Sequence, residues 1–203
     1  DILNNIDNYF FLGKKDYIST RSIFKKFKED LNLYGHPKFD ILKRENINFY
    51  KKDIVHLKTK YKKFIFVSSS FPVDQVMSKK SFNKFRFHNF EMANKEDKIK
   101  SDFDRYLEIE KDNYLYLIKL LESIAYENPS LNIIFRPHPR QDINLVKKRF
   151  TKKLKNIKII YKGVISPWIA ACDVYIHSGC SSFLEAACLE KKIIYFSKKD
   201  HEK

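Results

Sequence analysis

Two short stretches place cationic and hydroxyl side chains where an anion could be held. In the first, Asn132 to Arg140 (NIIFRPHPR), the β-branched and aromatic run Ile133-Ile134-Phe135 breaks off into Arg136-Pro137-His138-Pro139-Arg140. Two prolines in three residues remove ladder donors and push their predecessors toward extended geometry, so the chain must leave a sheet here on a stiff loop. That loop carries one histidine between two permanently charged arginines, a set that suits a phosphate. The bland account is a turn whose arginines face water. In the second stretch, Ile176 to Glu185 (IHSGCSSFLE), a strand ends, Gly179 turns the chain and a helix is expected to start at Ser181-Ser182. Free N–H groups and the positive end of the helix dipole favour an anion there, and two hydroxyls add donors. The competing account is specific: Ser182-Phe183-Leu184-Glu185 is an S-x-x-E capping box, in which Ser182 and Glu185 would only satisfy backbone donors.

Other stretches carry weaker signals. Ser68-Ser69-Ser70 follows a strand and could donate to phosphate or sugar oxygens, although such turns more often satisfy their own backbone. Residues 74–96 read as a long irregular loop in which Phe82, Phe85, Phe87 and Phe90 alternate with Lys84, Arg86 and His88, a pattern able to stack a sugar or base or simply to pack beneath the loop. His177 and Cys180 have a metal-like spacing, but no second pair completes a site, so no metal is expected. Cys172, Cys180 and Cys188 read as small buried residues, and Trp168 as core. There is no P-loop, dinucleotide glycine fingerprint or G-x-S-x-G elbow.

These loops need a frame that brings strand ends together, and the chain supplies one. A short strand at 8–12 and a basic helix at 22–31 are expected first, then a turn at 33–40 (LYGHPKFD) that reads as a crossing between two units. Apolar or aromatic residues at 50, 54, 57 and 61 mark a helical face over 49–61. Phe64–Val67 is a strand. Residues 98–126 are helical, in one or two pieces, with Leu117, Leu120, Leu121 and Ile124 as the apolar stripe and Asn128-Pro129 as the stop. Strand 132–135, a basic helix over 142–153, strand 157–161, a turn at Lys162-Gly163, a helix opened by Ser166-Pro167, strand 174–177, a helix to Leu189 and strand 193–196 complete the series. Strand and helix alternate with short links, the signature of a doubly wound parallel α/β sheet. In such sheets ligands sit beyond the carboxyl ends of the strands, where both anion-type loops would lie. The expected domains are 1–45, the end of an amino-terminal unit with its crossing, and 46–203, a Rossmann-like unit.

The totals bound the partners. The chain has 203 residues, with 40 Lys and Arg against 25 Asp and Glu, a net charge of +15. That excess favours polyanions: nucleic acid, an anionic membrane surface or phosphorylated substrates. The lysines come in scattered pairs such as Lys25-Lys26, Lys51-Lys52 and Lys147-Lys148, with no single block. Three cysteines without framework spacing argue for a reducing compartment. No apolar run is long enough to span a bilayer. Only four glycines occur, at 13, 35, 163 and 179, so each is expected to meet a backbone demand such as positive φ.

In combination these motifs carry a resemblance. NIIFRPHPR, then GVISPWIAACDVYIHSGCSSFLEA and KKIIYF, preceded by LYGHPKFDIL and FIFVSSSF, resemble the carboxyl-terminal half of GT-B fold glycosyltransferases of bacterial surface-polysaccharide synthesis, over residues 33–197. Bacterial sialyltransferases and capsule-type Kdo transferases pair an His-Pro motif with a later Ser-Ser or Ser-Thr motif to hold the CMP part of a CMP-sugar. The matching positions are His138-Pro139 and Ser181-Ser182. The resemblance implies that His138 contacts the donor phosphate and acts in catalysis, with Arg136, Pro139, Gly179, Ser181 and Ser182 around the phosphate. It implies that Glu185 meets the nucleotide ribose and that the turn Gly163–Ser166 faces the base. Ser68, Ser69 and Ser70 form a candidate substrate loop.

It further implies a nucleotide-sugar donor, CMP-linked in preference, with no metal or other cofactor. The acceptor would be a glycan or lipid-linked glycan, and the location the cytoplasm or the inner membrane face, where the basic surface could dock. Such enzymes have two Rossmann-like halves, and the catalytic base is expected on the half this chain lacks. A UDP-sugar enzyme and a CDP-polyol phosphotransferase of the teichoic-acid kind are alternatives built on similar loops. A basic nucleic-acid-binding module is the rival from another class, against which stand the scattered lysines and the lack of a recognisable binding motif.

Overall fold

A computed structural model describes residues 9–11, 13–23, 31–32, 35–43, 45–70, 97–139 and 141–198. The chain divides into two compact units, Asp1–Phe49 and Tyr50–Lys203. In the first, β1 (Tyr9–Phe10) pairs in parallel with β2 (Leu31–Asn32). Between them α1 spans Lys14–Ile23, earlier than the basic helix expected over 22–31; residues 24–30 lie outside the described residues. The expected turn at 33–40 contains a helix instead, α2 (Pro37–Ile41). Pro37 sits in its first turn, where a missing N–H costs nothing, and His36 caps it by accepting from Lys38 N–H at 3.1 Å.

The second unit holds the sheet. After α3 (Lys51–Tyr61) come β3 (Phe64–Ser68), α4 (Asp97–Glu127), β4 (Asn132–Arg136), α5 (Ile143–Arg149), β5 (Ile157–Ile159), α6 (Ser166–Ala171), β6 (Val174–His177), α7 (Phe183–Cys188) and β7 (Lys192–Tyr195). All five strands run parallel, in the order β5-β4-β3-β6-β7. The first strand is central and the order reverses between β3 and β6, as in a Rossmann-like doubly wound sheet.

The period of two along each strand sends side chains to opposite faces. Phe64 and Phe66 join Ile134, Tyr175, Trp168, Ile169 and Leu57 in one apolar cluster, while Val67, Ile133, Phe135 and Ile176 join Tyr114, Leu117, Leu121 and Val146 in the other. Trp168 is core as expected, with its ring stacked on Phe66 at 6.0 Å. Residues 97–127 form one unbroken 31-residue helix rather than two pieces, because no Gly or Pro interrupts it. Its carboxyl end is fixed from a distance: the Asn156 amide donates to the carbonyls of Ala125, Asn128 and Leu131 at 2.9, 3.1 and 3.0 Å. One turn earlier, buried Glu122 accepts from Lys152 N–H at 2.7 Å. The basic helix α5 is shorter than expected and starts from Asp142, whose carboxylate accepts from Asn144 N–H at 2.7 Å. Among the described residues, no helix is long and apolar enough to cross a membrane.

Candidate functional site

Because every strand of the sheet is parallel, the loops after β3, β4, β5 and β6 all emerge on its carboxyl edge. Those after β4 and β6 flank the central strand β3. The structure ties these loops together with specific bonds.

The loop after β4 is shaped by backbone carbonyls. The Arg136 guanidinium donates through Nη1 to the carbonyl of Lys162 at 3.1 Å and through Nη2 to that of Gly163 at 2.6 Å. Burial pulls the Arg136 pKa below its usual value, while Tyr161 and Glu185 pull it up. Tyr161 donates its hydroxyl to the Pro139 carbonyl at 2.9 Å. Thus the RPHP turn and the Gly163 turn form one braced structure. Gly163 has φ of +69°, and a Cβ there would meet no atom within 4 Å; its requirement is conformational, not steric. His138 is half-buried, with its backbone N–H donating to Gln141 Oε1 at 2.7 Å. Arg140 lies outside the described residues.

The loop after β6 is shaped by side chains. Tyr175 Oη lies 2.5 Å from Ser68 Oγ, 2.6 Å from Ser182 Oγ and 3.2 Å from Cys180 Sγ. Cys180 Sγ is also 2.7 Å from Ser182 Oγ and 2.9 Å from Ser68 Oγ. Burial opposes ionisation of the Cys180 thiol, but hydrogen bonds from His177, Ser182, Ser68 and Tyr175 outweigh it and bring the thiol down to about 7. Burial, with Cys180 adding to it, pushes the Tyr175 phenol far up. His177 is packed as an aromatic, its ring stacked between Tyr175 at 5.7 Å and Phe183 at 5.5 Å, with Nδ1 accepting from Gly179 N–H at 3.2 Å. No group of three or more metal-ligating side chains occurs among the described residues.

Several expectations change here. The capping box is not made: Ser182 occupies the cap position with no side-chain cap bond, and its hydroxyl serves Tyr175 and Cys180 instead. Glu185 is 4% exposed and accepts from Ser166 Oγ at 2.5 Å, which joins the first turn of α7 to the first residue of α6. Ser166 is therefore not a cap; Ile165 takes that position. Ser181 is exposed, unlike its neighbour. Ser68 and Ser70 do not satisfy their own backbone. Ser68 enters the Tyr175 network, Ser70 N–H and Oγ bond to Ser178, and Ser69 N–H donates to the Arg136 carbonyl at 3.0 Å. Of the cysteines only Cys172 is buried; Cys188 is exposed and Cys180 partly so. Residues 71–96, including the aromatic stretch around Phe85, lie outside the described residues. Gly179 has φ of +91°, the left-handed turn that its scarcity predicted.

No family model matches the sequence, and no curated protein matches it. Among solved structures, the chain is similar to UDP-GlcNAc 2-epimerase from Neisseria meningitidis bound to UDP-GlcNAc, with 11% identity and a TM-score of 0.50. The likeness is one of fold. It covers 97% of this chain and 46% of the epimerase, so the chain spans about half that protein's length.

Two residues of the site escaped sequence reasoning. Tyr175 reads as an ordinary strand aromatic; only its place in the last turn of pleat before a serine-rich loop hints that its hydroxyl ends among hydroxyls. Gln141 sits between the RPHPR turn and the Asp142 cap, and nothing in its type sets it apart from a solvated loop residue.

Proposed function

We propose that the chain is the donor-binding half of a nucleotide-sugar glycosyltransferase, with the nucleotide held across the carboxyl edge of the sheet. The observation that carries this reading is the bonding of three predicted site segments into one frame. Arg136 bonds the Gly163 turn, Tyr161 bonds Pro139, and Ser166 bonds Glu185, beside the point where the strand order reverses. Ligands of open α/β sheets bind at such points.

In this reading His138 meets the donor phosphate and stabilises charge as the nucleotide departs, aided by Ser181 and the exposed start of α7. Arg136 acts mainly by holding the base-facing turn against the phosphate turn. Glu185, fixed by Ser166, faces the ribose. No metal is needed if these groups carry the leaving charge. The donor is CMP-linked, following the pairing of His138-Pro139 with Ser181-Ser182, and the acceptor is a surface glycan or its lipid-linked precursor. A uridine-linked donor is the second reading, favoured by a fold neighbour described as bound to UDP-GlcNAc.

Calorimetric titration with CMP, UDP, CDP and short DNA at two salt concentrations tests this. CMP should bind best and without added divalent ion, and His138→Ala should weaken it about tenfold or more, as expected for losing a hydrogen bond to a charged group. A UDP preference would replace the donor and keep the fold. Binding to DNA alone, with a steep salt slope, would sink the transferase reading.

A further inference from the structure

We infer that Gln141 is a phosphate-binding residue of this site, its carboxamide NH2 donating to an oxygen of the bound nucleotide. The inference rests on the proposed nucleotide-sugar reading and adds a contact that the sequence motifs do not contain.

Gln141 closes the RPHP turn twice. Its backbone N–H donates to the His138 carbonyl at 2.8 Å, and its side-chain Oε1 accepts from the His138 N–H at 2.7 Å. The second bond fixes the orientation of the amide. A backbone N–H needs an acceptor, and a flipped amide would set NH2 against it. Nε2 therefore lies away from the His138 N–H. The side chain belongs to a residue only 6% exposed, and Nε2 is buried with no hydrogen-bond partner among the described residues.

A buried donor of this kind is costly when left unmet, and native structures keep few of them. An apolar side chain of similar volume would fill the space without that penalty. A carboxylate would still accept from His138 N–H, but would put a second oxygen where the donor stands. Glutamine is the residue that offers one acceptor to the turn and a neutral donor elsewhere. The turn it belongs to lies on the carboxyl edge of the sheet between Arg136 and the amino end of α5, and it carries His138. An oxygen-rich anion is the ligand class that accepts from such a set. A phosphate can take the Gln141 hydrogen bond and the His138 contact together.

The test uses Gln141→Glu, which keeps the oxygen bonded to His138 N–H and replaces the donor with an acceptor. CMP and cytidine are titrated into the wild-type chain and the variant at pH 8 and pH 5.5, and each unliganded protein is melted. CMP affinity should fall at least tenfold at pH 8 and by less at pH 5.5, where the phosphate monoester carries less charge against the introduced carboxylate, and cytidine binding should be unchanged at both. If the wild type prefers UDP, UMP and uridine replace the pair. Equal loss of CMP and cytidine would make Gln141 a shaper of the turn only and overturn the inference. So would a lowered melting temperature with unchanged affinity, which would assign Nε2 to a carbonyl of the protein itself. Should Gln141→Glu fail to fold, Gln141→Met carries the same comparison, with a smaller loss expected for CMP and none for cytidine. A wild-type chain that binds no nucleotide would remove the parent reading and this one together. Binding in the wild type that survives Gln141→Glu undiminished would remove this one alone.

Discussion

The loops after β4 and β6 flank the same central strand, yet they are held by opposite means. The β4 loop is braced through main chain: Arg136 donates to carbonyls of the Gly163 turn, Tyr161 donates to the Pro139 carbonyl, and Gln141 accepts from the His138 N–H. The β6 loop is braced through side chains, with two serine hydroxyls and a thiol around the Tyr175 hydroxyl. A loop fixed by its backbone can turn its functional side chains outward. A loop fixed by its own hydroxyls has already used them. The Ser182 hydroxyl is engaged with Tyr175 and Cys180, whereas Ser181 is exposed, so the two serines of the proposed phosphate pair are held differently.

The sharpest way to break this contrast is Tyr175→Phe. It removes a hydroxyl that serves Ser68, Ser182 and Cys180, and leaves buried partners short of a bond. The loss of unfolding free energy should be about 1–3 kcal/mol, read by denaturant melts. Nucleotide affinity should change less than stability. A variant as stable as the wild type would mean that the cluster does not hold the β6 loop. Arg136→Met probes the other loop. It should cost about 1 kcal/mol of stability, because its carbonyl partners are near the surface and water can replace it, and it should weaken nucleotide binding as the base-facing turn loosens. Unchanged affinity would detach the Gly163 turn from the site. The serine pair separates the two functions on a finer scale. Ser182→Ala should lower stability by about 1 kcal/mol or less, while Ser181→Ala should leave the melt unchanged and reduce nucleotide affinity a few-fold. The reverse pattern would return Ser182 to the ligand and make Ser181 the structural hydroxyl.

The smallest effect is a titration. A thiolate, not a thiol, attacks iodoacetamide, so labelling speeds up as pH rises through the thiol pKa. Cys180 should reach half its maximal rate at about pH 7, and Cys172, which burial pushes up to about 12, should stay unlabelled in the folded protein. Mass-resolved labelling would show it. A Cys180 midpoint near the ordinary value of about 8.5 would mean that the surrounding hydroxyls do not donate to the sulfur.

Much of the frame was legible because it is written in periodicity. Strand β6 at 174–177 and the core position of Trp168 follow from apolar runs and punctuation, and alternation implied the parallel sheet. The order β5-β4-β3-β6-β7, which sets both loops beside β3, lies outside what periodicity encodes. The capping box shows where local reading stops. Its spacing is correct, but Tyr175 and Ser166 offer Ser182 and Glu185 better partners, from 7 and 19 residues away. Short-range patterns compete with tertiary partners that no window along the sequence contains. The helix at 37–41 lies beyond local pattern for a related reason: Pro37 reads as a breaker, yet it is well placed in a first turn.

The reach of Asn156 has a consequence for how the unit comes apart. A helix normally closes its last turn with residues that follow directly. Here the end of α4 is closed by a residue that immediately precedes β5, and the same residue's carbonyl accepts from Ile133 N–H at the start of β4. Helix end, strand β4 and strand β5 are thus clipped at one point, and none can fray without exposing carbonyls that the others' partner was satisfying. The β5 edge, which as a three-residue border strand would otherwise open first, is drawn into the cooperative unit that contains the interior of the sheet.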